Sequence, residues 1–482
     1  MRLAHALHTR QGLSGCPLAI AVFQRRNRTD HKFCPLWILQ SGPTFLSVHK
    51  RRRRIIMNVD QAAPVPDHIP QHLIRDFDLW AELTTQGENA YAWAAELHQS
   101  MPPIFWVPRL GFLPGAWIPR RSEDLRRILQ DPETFSSVGL TPYPMLLGES
   151  WRLAPLEVDP PDHAKYRALL NPLFTPKKVD ALEQDIRGLA TQLIEAVTDK
   201  GRCDFNEDFA KPFPTLIFLK LMGWPLEERP LFQHWTQTLI KSFDMQVVTE
   251  NARAITGRIR AYIAERRKDP GDDFTSYLLA SQIDGRPLTD DEMLGINFLI
   301  FIGGLDTVTS SIGLFFRHLA RNPEQQAQLR ANPELIPDAV EELLRSYSIV
   351  NMRRTVTRDV QIGEATMKAG DIVLISTELA NLDPEVFDDA GTVDFQRSAG
   401  NAPHMAFSYG VHRCVGSHLA RRELRIALEL WLKLIPPFRI AAGTEPLFNA
   451  FGVFGMDDLH LEWDLPDSSA SIYTNQAAEA SA

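Results

Sequence analysis

Between Asp290 and Asn322 the chain reads DDEMLGINFLIFIGGLDTVTSSIGLFFRHLARN, and helical periodicity runs through all of it. Some thirty residues at 1.5 Å each make a rod on the order of 50 Å long. Its middle, NFLIFIGG, is apolar on nearly every face, so the helix has to pass through a core rather than lie on one. Halfway along sits Gly303-Gly304, each glycine costing about 1 kcal/mol relative to alanine in a helix. Asp306 and Thr307 follow, an acid and a hydroxyl where the pattern predicts burial. Glycines that allow close helix packing, with Thr307 bonded back to the carbonyl four residues before it, would account for part of this. A buried acid beside two glycines is left over, and together they describe a local cavity with a proton-handling pair.

Other segments share the helical period: DALEQDIRGLATQLIEAV, NARAITGRIRAYIAERR, PDAVEELLRSY and SHLARRELRIALELWLKLI. Short β-like pieces, GAWIP, DVQIG and DIVLIS, lie between turn residues. The expected class is mainly α with minor β, in one large domain over 57–466, followed by a polar tail at 467–482. Upstream, residues 1–56 hold eleven of the 51 Lys and Arg residues and one of the 60 acids. The rest of the chain therefore carries 40 cations against 59 acids, a net charge of −19. The basic head is expected to be a non-native or disordered extension. Its apolar stretches, LAIAVF and FCPLWIL, are too short to span a bilayer. RRRR at 51–54 resembles a nucleic-acid patch, but a body at −19 repels phosphate, so no nucleic acid is expected as a partner.

Four cysteines, Cys16, Cys34, Cys203 and Cys414, form no disulfide framework and point to a reducing, cytoplasmic compartment. Cys414 stands apart, in FSYGVHRCVGSHLARREL. A cysteine just before a helix meets unpaired N–H groups and the positive end of the dipole, both of which favour thiolate. Gly410 and Gly416 permit close backbone approach and a sharp turn, and His412 and Arg413 add donors. A zinc site would recruit His404, His412 and His418, but their spacing matches no common tetrahedral pattern. Nucleophilic catalysis needs a base and an oxyanion hole, for which only His412 is at hand. Haem iron accepts a single axial cysteinate, and that option accounts for the glycine cavity and the acid-alcohol pair as well.

Phe407, Gly410, Cys414 and Gly416, spaced F-x-x-G-x-x-x-C-x-G, resemble the haem-binding signature of cytochrome P-450 monooxygenases. Gly303 to Thr307 resembles that family's oxygen-binding helix, Glu342-Leu-Leu-Arg345 its E-x-x-R helix, and DFQR at 394–397 its meander. All four occur in the family's order, over roughly 64–464. Segments such as VDPPDHAKYRALLNPLF and HLARREL place the chain nearest the bacterial soluble branch and its camphor-hydroxylating members.

The resemblance implies haem b with Cys414 as the iron ligand and Phe407 shielding the sulfur. It implies that His163, Arg167, Arg354 and His412 hold the haem propionates, and that Gly303 and Gly304 make room for dioxygen. Asp306 and Thr307 would deliver protons for oxygen activation, while Glu342, Arg345 and Arg397 would be structural. In an ungapped alignment from the shared DPP, the tyrosine that grips a ketone in camphor hydroxylases falls at Trp151. Leu299, Ile302, Val350 and Val453 complete an apolar pocket suited to a terpenoid or norisoprenoid. No reductase domain is fused on, so electrons come from outside; an acidic ferredoxin is expected to dock near Lys165, Arg167, Arg413, Arg421 and Arg422. The expected product is a soluble monomer with no membrane anchor. A peroxide-driven peroxygenase and a non-catalytic haem sensor are the alternative readings.

Overall fold

A computed structural model describes residues 64–111, 113–242, 244–397 and 403–465. The boundaries expected at 56/57 and 466/467, with the basic head and the polar tail, lie outside these residues. The helices that build the site are α1 (Tyr143–Leu147), α2 (Asp162–Leu170), α3 (Arg229–Lys241), α4 (Met245–Lys268), α5 (Asp290–Arg321), α6 (Ile336–Ser346) and α7 (Ser417–Leu434). The class is mainly α with a minor sheet.

The long helix of the sequence is α5, and its start is chemically marked. Thr289 Oγ1 accepts from the Glu292 amide at 3.2 Å, while the Glu292 carboxylate accepts from the Thr289 amide at 2.7 Å. This reciprocal cap satisfies two amide donors at the helix start that lack intrahelical partners. Pro323, just past Asn322, begins the next helix. In one place the periodicity misleads: DALEQDIRGLATQLIEAV is not one helix but two, Pro176–Ala181 and Glu183–Thr198, which meet at Leu182.

Helix α5 belongs to two apolar clusters at once. Phe298, Phe301 and Leu305 pack with Trp224, Phe232 and Leu239. Val308, Ile312, Phe315 and Phe316 pack with Phe205, Phe209 and Trp431. The clusters share the helix but part at its midpoint, and Gly303-Gly304 falls at that seam. Of the described helices, α5 alone is long and apolar enough to cross a membrane, and it is mostly buried in the protein.

The main sheet has five strands: β1 (Ile104–Val107), β2 (Ala116–Pro119), β3 (Phe135–Ser136), β4 (Asn351–Val356) and β5 (Ile372–Ser376). Their order is β1-β2-β5-β4-β3, with β5 parallel to β2 and antiparallel to β4. The expected GAWIP and DIVLIS strands are β2 and β5. A hairpin, β6 (Phe448–Phe451) and β7 (Val453–Met456), turns at Gly452 and bridges Val453 to Val350.

Candidate active site

At the seam in α5 the helix surface opens on a cavity of about 450 Å³. Gly303 is exposed although it lies mid-helix, and nothing within 4 Å would meet a Cβ there. Across the cavity is the loop before α7. Gly410 shapes that loop: its φ is +70°, and a Cβ there would stand 2.2 Å from the Leu129 carbonyl oxygen. The close approach that Gly410 permits is thus to backbone, and Gly410 itself does not line the cavity. The Cys414 amide donates to the Phe407 carbonyl at 2.9 Å and closes the loop. Cys414 lies deep in the protein, yet its surface opens on the cavity. Burial pushes its thiol up, against the Gly416 amide and the charges of Arg167, Arg413 and Arg421, which favour thiolate. Phe407 also lines the cavity and lies under the Arg421 guanidinium, 4.4 Å from its ring centroid.

One flank collects basic groups from three segments. His163 and Arg167, one turn apart on α2, both line the cavity, as does His412. The two imidazoles are 4.3 Å apart between centroids. Burial, reinforced by Arg167, holds His163 down to about 4, so it is neutral near pH 7. Arg354, on β4 behind this wall, is 2% exposed; its Nη1 donates to the Arg353 carbonyl at 2.9 Å and its Nη2 has no partner. His163 Nε2 has no partner either. Burying such donors without acceptors costs about 1–3 kcal/mol each.

On the opposite side, Thr307 Oγ1 donates to the Gly303 carbonyl at 2.8 Å, the local bond foreseen from sequence. Asp306 points the other way, is 3% exposed and does not line the cavity. Its Oδ1 lies 3.8 Å from Lys241 Nζ, which donates to Asp457 at 2.7 Å, and its Oδ2 is unpaired. Burial raises the Asp306 carboxyl, and Lys241 opposes that. Lys241, the last residue of α3, was not foreseen. Its signal was faint, a cation at a helix end whose partner is 65 positions away.

Leu299, Ile302, Val350 and Val453 all line the cavity as expected. Trp151 does not. Its indole packs on Phe298 at 5.1 Å and its Nε1 donates to Glu149 at 2.5 Å, so it is a core aromatic whose donor is taken. Tyr143, on α1, occupies the wall instead. Arg353 and Glu423 are further lining residues that sequence reasoning missed. Glu423, 3% exposed with Oε2 unpaired, is pushed well above the usual carboxylate range by burial.

The structural triad is formed as expected. Arg345 makes a two-pronged contact with Glu342 at 2.8 and 2.7 Å, and Arg397 Nε joins the same carboxylate at 3.0 Å. The expected docking cluster is largely dismantled. Arg421 is held by Glu341 at 2.5 and 2.8 Å, Arg422 by Asp180 and Glu183, and Lys165 by Asp162 and Asp284 at 2.8 and 2.7 Å. Arg167 turns inward and donates to the Arg413 carbonyl at 2.7 Å. Only Arg413 of the five is exposed with its guanidinium free of any partner among the described residues. Acids neutralise Lys165, Arg421 and Arg422, most of them from other segments of the chain, which a sequence-local count of cations does not register. Among the described residues no three His, Cys, Asp or Glu side chains gather as a zinc site would require, and His404 pairs with Glu341 at 3.1 Å.

Residues 121–434 match the family described as Cytochrome P450. Probable cytochrome P450 127A1 of Sinorhizobium fredii is 40% identical over 420 residues, covering 86% of this chain and 99% of that protein. Steroid C26-monooxygenase of Mycobacterium tuberculosis is 34% identical over 345 residues, 68% of this chain and 90% of that one. The crystal structure of cytochrome P450 CYP101C1 matches with a TM-score of 0.75 at 33% identity, covering 83% of this chain and 100% of that one. This chain belongs to the cytochrome P450 family, and is a monooxygenase whose cofactor is haem b with an axial cysteine thiolate. The residues present fit that group: a cysteine opening on an apolar cavity, and unpaired buried donors at His163 and Arg354 where carboxylates would be received.

Proposed function

We propose that this enzyme inserts one oxygen atom of O2 into a C–H bond of a small hydrophobic compound, a terpenoid or norisoprenoid. The other oxygen leaves as water, using two protons and two electrons. The reading rests on one observation: Cys414 and Thr307, from the loop before α7 and from α5, line the same largely apolar cavity. Leu299, Ile302, Val350 and Val453 line the same cavity as the residues that would hold haem b, and such aliphatic side chains supply shape rather than charge to a substrate.

Haem b would supply oxygen binding and activation, held by Cys414 with His163, Arg167, Arg354 and His412 around its carboxylates. Thr307 holds a hydroxyl proton at the cavity wall. Asp306, one residue before it and turned toward Lys241 and Asp457, connects that wall to the outer surface and brings solvent protons to it. Glycine at 303 and 304 leaves the space in which oxygen and substrate meet. Electrons come from an external ferredoxin. Its acidic face docks at Arg413, with Lys177 and Lys178, which are exposed on the short helix packed against α7.

The test is the carbon monoxide difference spectrum of the dithionite-reduced, haem-loaded protein. A strongly red-shifted Soret band that is lost in Cys414→Ser is expected; a neutral-ligand spectrum in folded wild-type protein overturns the reading. Turnover with NADH, a ferredoxin and its reductase then measures hydroxylated product on ionone-like ketones.

A further inference from the structure

The stretch of cavity wall that leads into α1 has no secondary structure to hold it. Leu140, Thr141 and Pro142 line the cavity, yet residues 137–142 belong to no helix or strand. Gly139, within this stretch, has a φ of +68°, and nothing within 4 Å would meet a Cβ there, so packing does not fix that point either. Two charged side chains from distant segments fix it instead.

Arg353, on β4, donates through Nε to the Leu140 carbonyl at 3.2 Å and through Nη2 to the Gly139 carbonyl. Glu157, 2% exposed, accepts from the Thr141 amide at 2.5 Å through Oε1 and from the Leu153 amide at 3.1 Å through Oε2. The Leu140 carbonyl and the Thr141 N–H are the two ends of one planar peptide group. A guanidinium grips the negative end of its dipole and a carboxylate the positive end. Such charge-assisted bonds are about twice as strong as neutral ones. Neither side chain forms an ion pair with another described residue, so both are committed to backbone. Burial disfavours the Arg353 charge, and Glu157 supports it. The same segments also carry the basic flank. Arg354 follows Arg353, and Asp159, two residues after Glu157, accepts from the Ser137 amide at 3.0 Å and its hydroxyl at 2.9 Å. Ser137 Oγ in turn lies 3.1 Å from His412 Nε2. The wall is thus held in register with the residues that would surround the haem carboxylates.

We propose that Glu157 and Arg353 are positioning residues for substrate selection: by fixing the plane of the Leu140–Thr141 peptide they pre-form this wall, and so set which hydrophobic compounds fit the cavity. This rests on the monooxygenase reading and names what governs its selectivity. A pre-formed wall costs little to order at binding, whereas a loose one has to be ordered by the ligand. That cost falls on compounds large enough to reach the wall and spares small ones.

The experiment is a Soret-shift titration of the haem-loaded full chain with two probes that bind haem iron through nitrogen, imidazole and the bulkier 4-phenylimidazole. Glu157→Gln and Arg353→Met are each expected to weaken 4-phenylimidazole about three- to tenfold while imidazole stays within about twofold. Arg353→Lys, which keeps the charge and a donor, is expected to recover part of that loss; where Arg353→Met fails to fold, Arg353→Lys gives the same comparison at smaller amplitude. Hydrogen exchange adds a readout that needs no ligand. Amides in 138–148 are expected to exchange faster in Glu157→Gln than in wild type, with those of α5 unchanged. Unaltered 4-phenylimidazole binding overturns the proposal, as does equal weakening of both probes, which marks a general loss of the haem seat. Folded variants that take up no haem overturn it too, since they place the two residues in that seat rather than in the wall. A thiolate carbon monoxide spectrum with selectivity unchanged in the variants removes the positioning role and leaves the monooxygenase reading standing.

Discussion

Gly410 and Thr307 are single residues on which opposite walls of the cavity depend. At Gly410 a side chain meets both a left-handed backbone, φ +70°, and the Leu129 carbonyl oxygen at 2.2 Å. Backbone strain alone is worth about 1–2 kcal/mol, and the contact adds to it. Gly410→Ala is therefore expected to lose at least about 2 kcal/mol in urea unfolding and to lower the fraction of protein with a thiolate spectrum. Thr307→Ala has a different signature because its hydroxyl is bonded only within its own helix. Stability is expected to change by less than about 1 kcal/mol. NADH consumption should continue, with electrons diverted to hydrogen peroxide; wild-type product per NADH in that variant removes Thr307 from the proton path.

Along a single element, identical substitutions have opposite signs. In α5, alanine gains about 1 kcal/mol over glycine by propensity. At Gly303 nothing opposes that gain, and Gly303→Ala is expected to raise stability by up to about 1 kcal/mol. At Gly295 a Cβ would stand 1.9 Å from the Arg152 carbonyl oxygen, so overpacking of about 1–3 kcal/mol wins and Gly295→Ala should destabilise. Differential scanning calorimetry of the two variants distinguishes the cases. A second element-scale effect lies where β4 leaves the cavity and β5 ends. Burial lifts Glu378 from its ordinary 4.5 to about 7 while it accepts from Asn351 and Ser376 at 2.8 and 2.9 Å. The folded state holds this proton more tightly than the unfolded one. Stability from it is full below about pH 4.5 and is lost as pH rises through 7. Glu378→Gln is expected to flatten the pH 5 to 8 dependence of urea unfolding by about 1–3 kcal/mol, and an unchanged slope would exclude the effect.

Across the whole molecule, the Glu342 carboxylate ties α6 to Arg397, while Arg345 caps the carbonyls of Asn381, Ala390 and Thr392. With Arg345 and Glu342 only 2% and 5% exposed, removing one partner leaves a buried charge. Arg345→Leu is expected to cost about 3–5 kcal/mol and to prevent haem incorporation. Docking is also a property of the whole surface. Arg413→Glu is expected to slow reduction by a ferredoxin and weaken its salt dependence, whereas Arg421→Glu disturbs folding through Glu341.

What the sequence determined by itself was the chemistry that local spacing controls. The glycine pair and acid-alcohol pair of α5, the Cys414 loop and the Glu342–Arg345 turn are each encoded within about ten residues, so their types and order carry their geometry. The helix from Asp290 to Arg321 was legible for the same reason, through its period and its cap. Tertiary structure decided whatever depends on partners far along the chain. It spent the Trp151 donor on Glu149, brought Tyr143 to the cavity wall, set Lys241 beside Asp306, and neutralised Arg421 and Arg422 with acids from other segments. Side-chain direction and charge pairing are long-range outcomes of packing. A linear spacing names the residues available, and the packed core decides which of them are free.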